Sequence, residues 1–413
     1  MTKKIISFIM SLILMMSVLI FSASAEQMDT GVSVSAKAAI VSEITTGQVL
    51  YEKNSGKRMN PIGISNILVL LTAVNNAPDL NALVEIKQDV LDVAVENTVG
   101  VLEDGEKYRL EDLLYLIILK NDSAAGAVVA DYVGGSQEAF VEQMNALAQS
   151  YGMTNSLFSN AIGEYGLADD NYTDCLDTVK LMTEAIYNRN VANILSSQSH
   201  EMAAEGKDKF TINTVCPIMQ TDNSNYYEDI YCGFADYDKK TSGCMVSSTE
   251  KDGLKLVCVM FNGNENKNCA ATKSLYEWAY SLDRHVCVKR GDVLEKVDVT
   301  QSYTKLKCVS LTDVTYLCDD SFDENKLTVE HTIEEKLIAP IKKNDKIGII
   351  NVRYDGVLVG TISLVAGNDV EISMGEKITT PPLMLRLALL GFVVIVILVV
   401  FLIYRKRWLK VKN

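Results

Sequence analysis

The residues from Leu383 to Tyr404 form an almost uninterrupted apolar run that only a bilayer or a fully buried helix can accommodate. As a helix, this run would cover about 30 Å, which is the thickness of the hydrocarbon core of a membrane. The alternative of a buried core helix is disfavoured because the run has no polar face. The sequence therefore predicts one transmembrane helix over residues 383–404. The basic residues after Tyr404 predict a cytoplasmic tail over residues 405–413.

The N-terminus has the pattern of an export signal. Lys3 and Lys4 precede an apolar stretch from Ile5 to Phe21, and Ala23-Ser24-Ala25 fits a cleavage site. An uncleaved N-terminal anchor is the alternative. We therefore predict a signal peptide over residues 1–25 and an extracytoplasmic location for the residues between the two apolar segments.

The net charge of the chain limits the classes of partner that the protein can bind. The chain carries a net charge of −14, and its two ends carry only basic side chains, so the middle is more acidic still. Such a surface repels nucleic acids and other anionic polymers, and no nucleic-acid partner is expected. Solubility explains the acidity without any special partner.

The cysteines do not suggest a metal site. The chain has nine cysteines and three histidines, and no two cysteines occupy a C-x-x-C spacing. An odd count is unusual for an exported protein with paired disulfides. The simplest interpretation is a set of reduced, mostly buried thiols, and we expect neither a metal nor a cofactor.

The extracytoplasmic part is too long for one ordinary domain, and its pattern changes near residue 284. Before that point, strands alternate with helices. The predicted elements there are a hairpin over 38–43 and 48–52, helices over 64–74, 110–119, 124–133, one begun by Ser136 and one over 273–282, and strands over 243–248 and 255–261. We therefore predict an α+β domain over residues 30–283.

After residue 284 nearly every segment has the alternation of a strand. The clearest are a strand over 293–299 and a hairpin formed by residues 346–352 and 357–364 around Tyr354-Asp355-Gly356. This pattern predicts a small all-β sandwich domain over residues 284–375.

Three segments, Ala38–Val74, Leu110–Gly163 and Leu337–Val370, resemble in order and spacing the D-alanyl-D-alanine carboxypeptidases, which are low-molecular-mass penicillin-binding proteins. The resemblance implies a β-lactamase-like transpeptidase domain, with a helix cluster on an antiparallel sheet, followed by the family's C-terminal β domain. It also implies a chemistry built from three motifs. These are a serine and lysine in S-x-x-K, a serine and asparagine in S-x-N, and a lysine in K-T-G that binds the substrate carboxylate.

The S-x-x-K pair is missing. By resemblance, Gly63 stands at the position of the nucleophilic serine and Asn66 at the position of the lysine. Glycine has no side chain, and an asparagine amide is not a base. Ser65 could replace the nucleophile only from a different face of the helix, with Leu68 at the position of its base.

The other two motifs are altered as well. Asn121-Asp122-Ser123 stands where S-x-N belongs, so the residue types at the Asn121 and Ser123 positions are exchanged; alternatively, one of these three residues simply caps the next helix. Ala235-Asp236-Tyr237 stands where K-T-G belongs, and Asp236 would repel a carboxylate. Lys239 or Lys240 could reach back toward the site. The motif N-P-x-G-L has become Asn160 to Glu164.

We therefore expect a membrane-anchored cell-wall protein that has lost the acyl-enzyme chemistry of its family. Its expected partner is a peptidoglycan stem peptide or a cell-wall enzyme. One alternative is an active serine D-Ala-D-Ala carboxypeptidase with an unusual nucleophile. Another is a sensor or assembly factor that uses the single span and the short tail.

Overall fold

The computed structural model describes residues 28–94, 98–163, 171–237, 243–334 and 336–373. The chain forms two compact units. The first extends to Arg284 and also contains Leu317–Asp323; the second contains His285–Tyr316 and continues from Glu324. The predicted signal peptide and transmembrane helix lie outside the described residues. No helix within those ranges has the length and apolarity needed to cross a bilayer.

Among the described residues, the α-helices all belong to the first unit. They are α1 (Ser65–Asn76), α2 (Gln88–Leu91), α3 (Leu110–Lys120), α4 (Ser123–Gly134), α5 (Gln137–Ser150), α6 (Cys175–Tyr187), α7 (Arg189–Leu195) and α8 (Glu265–Ser281). Short 3₁₀ turns occur at Ile62–Ile64, Pro217–Met219 and Glu324–Lys326.

The strands of the first unit form one main sheet and two small hairpins. They are β1 (Ala38–Glu43), β2 (Val49–Lys53), β3 (Leu83–Glu85), β4 (Lys107–Arg109), β5 (Ser199–Met202), β6 (Phe210–Asn213), β7 (Ile230–Asp236), β8 (Gly243–Lys251) and β9 (Leu254–Gly263). The main sheet is antiparallel in the order β2-β1-β9-β8-β7, and the hairpins pair β3 with β4 and β5 with β6. Strand β7 is therefore an edge strand of the main sheet.

The main sheet separates two hydrophobic cores, and β1 shows why its sequence is apolar throughout. Ala38 and Ile40 point into the core that contains α1 and α3 to α7, whereas Ala39 and Val41 point into the core that contains α8. Alternate residues of a strand face opposite sides, so a strand covered on both faces needs apolar residues at every position.

Helix α1 is central, as its sequence predicts. Every residue from Ser65 to Ala73 is buried, and the predicted range of 64–74 differs from the observed Ser65–Asn76 by one or two residues at each end. The predicted helix at 273–282 is too short, because α8 already begins at Glu265 behind the Asn264 cap. Polar residues fill the first turns of α8 and hide its apolar periodicity.

The second unit contains only strands and a single 3₁₀ turn among its described residues. The strands are β10 (Asp283–Val288), β11 (Val293–Val297), β12 (Leu306–Ser310), β13 (Val314–Cys318), β14 (Leu327–Ile333), β15 (Lys346–Tyr354) and β16 (Val357–Ala366), of which β10 begins and β13 ends in residues of the first unit. A five-stranded antiparallel sheet has the order β11-β12-β16-β15-β14, and β10 pairs with β13. The predicted hairpin around Asp355-Gly356 is confirmed, and both turn residues have positive φ, as this turn requires.

All nine cysteines are free, and only Cys287 is not buried. Burial raises the pKa of Cys232, Cys258 and Cys269 to about 12, because the thiolate is poorly solvated there. The eight buried thiols are therefore packing groups and not reactive nucleophiles.

This leads to a simple test of the cysteines. In the native full chain at mildly alkaline pH, iodoacetamide is expected to modify Cys287 first, while all nine cysteines react after denaturation without reductant. Peptide mass spectrometry measures both. Rapid native modification at several buried positions, or cysteines protected after denaturation, would contradict the packing described here.

Candidate functional site

The position aligned with the nucleophile lies in a tight turn before α1. Ile62 has a φ of +47°, and its N–H donates to Asn60 Oδ1 at 3.0 Å. A β-branched residue rarely adopts a left-handed conformation, and strain of about 1–3 kcal/mol at such a turn is typical of functional sites. The turn presents the backbone of Gly63 toward β7.

Asp236 occupies the space next to Gly63. The Gly63 N–H donates to Asp236 Oδ2 at 3.1 Å. A Cβ atom built on Gly63 would lie 2.7 Å from that oxygen and 3.0 Å from Cζ of Phe234. A serine therefore does not fit here unless Asp236 moves. The Asp236 carboxylate thus accepts the hydrogen bond of the Gly63 N–H, at the residue that the resemblance places at the nucleophile position.

Asn66 lies one turn further along α1 and is buried. Its side chain packs against Gly163, where a Cβ would lie 2.9 Å from Asn66 Oδ1. Gly163 has a φ of +70°, so glycine is favoured there for its conformation as well as for its size. The neighbouring Ser65 is buried, and its hydroxyl faces the Ile62 carbonyl at 3.4 Å. Ser65 is therefore not placed to replace the nucleophile.

The side chain of each residue in Asn121-Asp122-Ser123 forms a hydrogen bond with a backbone group of another residue. Asn121 ends α3 with a φ of +56° and donates from Nδ2 to the Ala235 carbonyl at 3.0 Å. Ser123 Oγ donates to the Ile162 carbonyl at 2.6 Å. Of the three capping candidates, Asp122 is the residue that caps α4: it accepts from the Ala125 N–H at 2.7 Å.

Asp122 also fixes the segment before α3. Its Oδ2 accepts from the Val99 N–H at 2.6 Å. Burial raises the pKa of Asp122, and the backbone donors oppose that rise because they favour the charged form. Through these hydrogen bonds, the segment Asn121-Asp122-Ser123 connects the end of α3 to the start of α4 and to β7.

The three residues aligned with K-T-G have separate roles. The small side chain of Ala235 packs into the core on the α8 side of the sheet, and Asp236 faces Gly63. The hydroxyl of Tyr237 accepts from Asn268 Nδ2 at 3.2 Å, and burial raises the pKa of Tyr237. Lys239 and Lys240 lie outside the described residues.

A pocket of about 380 Å³ remains beside the end of β7. Asn121, Ala235, Asp236 and Tyr237 line it, whereas Gly63, Asn66 and Ser123 do not. Its charged lining residues are Lys120, Asp236 and Glu265. The structure therefore divides the predicted site residues between a closed turn and an open pocket.

Sequence reasoning did not identify Phe234, Lys120 or Glu265 as parts of this region. Phe234 looks like an ordinary core residue in the sequence, and its ring reaches Gly63 only because of the register of β7. Among the described residues, no cluster of histidine, cysteine and carboxylate side chains could hold a metal ion.

Comparison with known families supports the resemblance inferred from the sequence. Residues 22–265 match the D-alanyl-D-alanine carboxypeptidase family, and residues 284–372 match the C-terminal domain of penicillin-binding protein 5. The D-alanyl-D-alanine carboxypeptidase DacF of Bacillus subtilis is 24% identical over 345 residues, covering 81% of this chain and 86% of the relative. DacA of Escherichia coli is 24% identical over 339 residues, covering 78% and 80%.

Solved structures share the fold. Penicillin-binding protein 5 of Haemophilus influenzae aligns with a TM-score of 0.64 at 16% identity, covering 82% of this chain and 98% of its own. A protein of Streptococcus pneumoniae described as a peptidoglycan synthesis regulatory factor (PBP3) aligns with a TM-score of 0.62 at 19% identity, covering 82% and 100%. The chain thus belongs to the D-alanyl-D-alanine carboxypeptidase family and combines that family's α+β fold with a C-terminal β domain.

Proposed function

We propose that this protein is an exported, membrane-anchored member of the carboxypeptidase family that binds at the cell wall without cleaving D-alanine. The observation that supports this most directly is the contact between Gly63 and Asp236. The Gly63 N–H, which stands at the nucleophile position, is held by the Asp236 carboxylate at 3.1 Å.

The acyl-enzyme route requires a hydroxyl, a base to take its proton, and donors that stabilise the developing oxyanion. Gly63 supplies no hydroxyl and Asn66 supplies no base. The backbone donor at residue 63 already binds an anion that belongs to the protein. Asp236 would also repel the terminal carboxylate of a D-Ala-D-Ala substrate, and Ala235 offers no cation to hold it.

The pocket beside β7 is the part of the region that can still bind a ligand. Its lining combines the carboxylates of Asp236 and Glu265 with one lysine, so it favours ligands that donate hydrogen bonds over simple carboxylates. Stem peptides carry amides and amines as well as carboxylates. We therefore assign the pocket to a peptidoglycan stem peptide or to a peptide segment of a cell-wall enzyme.

The proposal predicts that the full chain, solubilised in detergent, releases no D-alanine from a stem-peptide mimic above the rate without protein. An active relative such as DacF serves as the positive control. Release at a comparable rate would support the alternative of an active carboxypeptidase.

Binding is tested in parallel by co-sedimentation with purified peptidoglycan. Val215 lines the pocket and is 38% exposed, so Val215→Glu is expected to weaken binding by steric block and charge. Leu358→Glu, at a site 49% exposed in the second unit, is the matched control and should bind like the wild type. Equal binding by all three proteins would contradict the use of this pocket.

A further inference from the structure

The second unit contains a pocket of about 400 Å³ whose charged lining side chains are all basic. Arg290, Lys307 and Lys343 line it, together with the apolar residues Val293, Val309 and Leu311. Val293 is 45% exposed and Leu311 is 42% exposed, so the apolar part of the pocket is open to solvent. This combination is unexpected in a chain with a net charge of −14.

The sheet concentrates positive charge on this face. Lys307 on β12 lies directly opposite Lys296 on β11, and directly opposite residues project from the same face. Like charges in this arrangement repel, and an anion bound between them would relieve the repulsion. Gly367 keeps the floor open, because a Cβ there would lie 2.9 Å from Val309 Cγ1 and 3.2 Å from Lys307 Cβ.

Among the described residues of this unit, no acidic side chain forms an ion pair with Arg290, Lys307 or Lys343. Among those residues, the ion pairs formed by lysine and arginine side chains join Lys305 to Asp298, Lys326 to Asp355 and Arg353 to Glu330. The carboxylates nearest to the pocket in the chain accept hydrogen bonds from backbone N–H groups, and they include Asp292 and Asp345, which accept from the Lys289 and Lys342 N–H groups. Asp313 accepts from the Arg290 N–H, and Asp369 accepts from the Lys343 N–H, both at 2.7 Å.

The pocket lies near the point where the described chain ends. Gly367 donates from its N–H to the Lys307 carbonyl, and Ser373 donates from its N–H to the Gln301 carbonyl at 2.9 Å. The predicted membrane helix begins at Leu383. The ten residue-to-residue steps from Ser373 to Leu383 can span at most about 35 Å, and the six steps from Gly367 to Ser373 at most about 20 Å. The covalent chain therefore holds this pocket within about 55 Å of the start of the predicted membrane helix.

We infer that Arg290, Lys307 and Lys343 form a binding site for the phosphate of an anionic lipid headgroup, by which the β domain rests on the membrane surface. Arginine and lysine bind phosphate oxygens through charge-assisted hydrogen bonds, and exposed Val293 and Leu311 suit the apolar side of a headgroup region. The inference rests on the membrane anchor in the proposed function. It adds a lipid contact that the anchor itself does not require.

The test uses the full chain mixed with lipid vesicles. Leu311→Trp places a fluorescent reporter in the pocket in a Trp408→Phe background, and Trp278 in the first unit serves as an internal reference. Leu358→Trp, at the hairpin end of the same sheet, is the control reporter. Vesicles contain brominated lipids and are either neutral or anionic. Flotation of the vesicles is measured in the same samples.

We expect quenching of the pocket reporter in anionic vesicles, little in neutral ones, and no quenching of the control reporter in either. Arg290→Gln with Lys343→Gln should abolish the quenching. Lys326→Gln with Arg353→Gln, which removes the same charge far from the pocket, should preserve it. Quenching that is unaffected by the first pair would overturn the headgroup site.

Flotation separates this inference from the anchor. Flotation in both vesicle types without quenching of the pocket reporter would overturn the lipid site and leave the anchor standing. Flotation only in anionic vesicles, lost with the Arg290 and Lys343 changes, would support the site and contradict the anchor. A saturable response of the pocket reporter to soluble poly(glycerol phosphate), with none to anionic vesicles, would assign the pocket to a wall polymer and overturn the membrane contact.

Discussion

Replacing Gly63 with alanine is expected to lower the free energy of unfolding by about 1–3 kcal/mol, the usual cost of overpacking a buried site. The new Cβ would lie 2.7 Å from Asp236 Oδ2 and 3.0 Å from Phe234 Cζ. Accommodating it would push the carboxylate away from the Gly63 N–H and disturb the ring. Urea denaturation of the purified chain measures the change.

Two further variants identify the cause of that loss. Gly56→Ala is the matched control, because a Cβ at Gly56 meets only Leu176 Cδ1 at 4.0 Å, so its effect should stay within about 0.5 kcal/mol. Asp236→Ala should make Gly63→Ala less costly in the double variant, since the nearest clashing atom, Asp236 Oδ2, is gone. Additive effects in this cycle, or a neutral Gly63→Ala, would contradict the contact between these two residues.

Asp122→Ala is expected to cost about 2–3 kcal/mol, because it removes the cap of α4 and leaves the buried N–H of Ala125 and the partly buried N–H of Val99 without their acceptor. Ser136→Ala, which removes only the half-buried cap of α5, should cost about 1 kcal/mol. Urea denaturation measures both variants. Equal losses for the two would show that Asp122 does no more than cap a helix.

The pH dependence gives a second signature of Asp122. Burial raises its pKa in the folded protein above the ordinary value of 3.8, so the folded state binds this proton more tightly than the unfolded state. The contribution of Asp122 to stability is therefore largest below pH 3.8 and declines as the pH rises through its folded pKa. The difference in stability between the wild type and Asp122→Ala should widen as the pH falls from neutral.

The sequence predicts where the altered motifs stand, but it does not predict the contacts that these residues make. Gly63 and Asn66 follow from counting along a helix whose apolar residues are unmistakable. The contact of Gly63 with Asp236 depends instead on how β7 is aligned against the turn before α1. That alignment is set by the pairing of β7 with β8, which joins residues distant from Gly63 in the chain.

The contacts of Asn121-Asp122-Ser123 could not be predicted from the sequence either. All three residue types are good helix caps, so the sequence leaves the choice between them open. The structure chooses Asp122 because Asn121 ends α3 in a left-handed conformation and Ser123 turns toward the Ile162 carbonyl. Helices α6 and α7 and the β5–β6 hairpin were not predicted, although Leu181, Met182, Ala185 and Ile186 of α6 recur at the spacing of an amphipathic helix.

The cationic pocket of the second unit could not be predicted from the sequence, for a related reason. Arg290, Lys307 and Lys343 are far apart in the sequence, and a net charge summed over the whole chain conceals them. Only the pairing of β12 with β11 and β16 brings them together. Sequence composition thus argues against a large basic surface but says nothing of a small one.

The central proposal is that the first unit forms no acyl-enzyme. It is tested most directly by the intact mass of the full chain after incubation with benzylpenicillin, with DacF treated in parallel. We predict no covalent adduct on this chain while the control acquires one. A stoichiometric adduct that peptide mapping places on a serine of the first unit would contradict the account and identify the nucleophile it lacks.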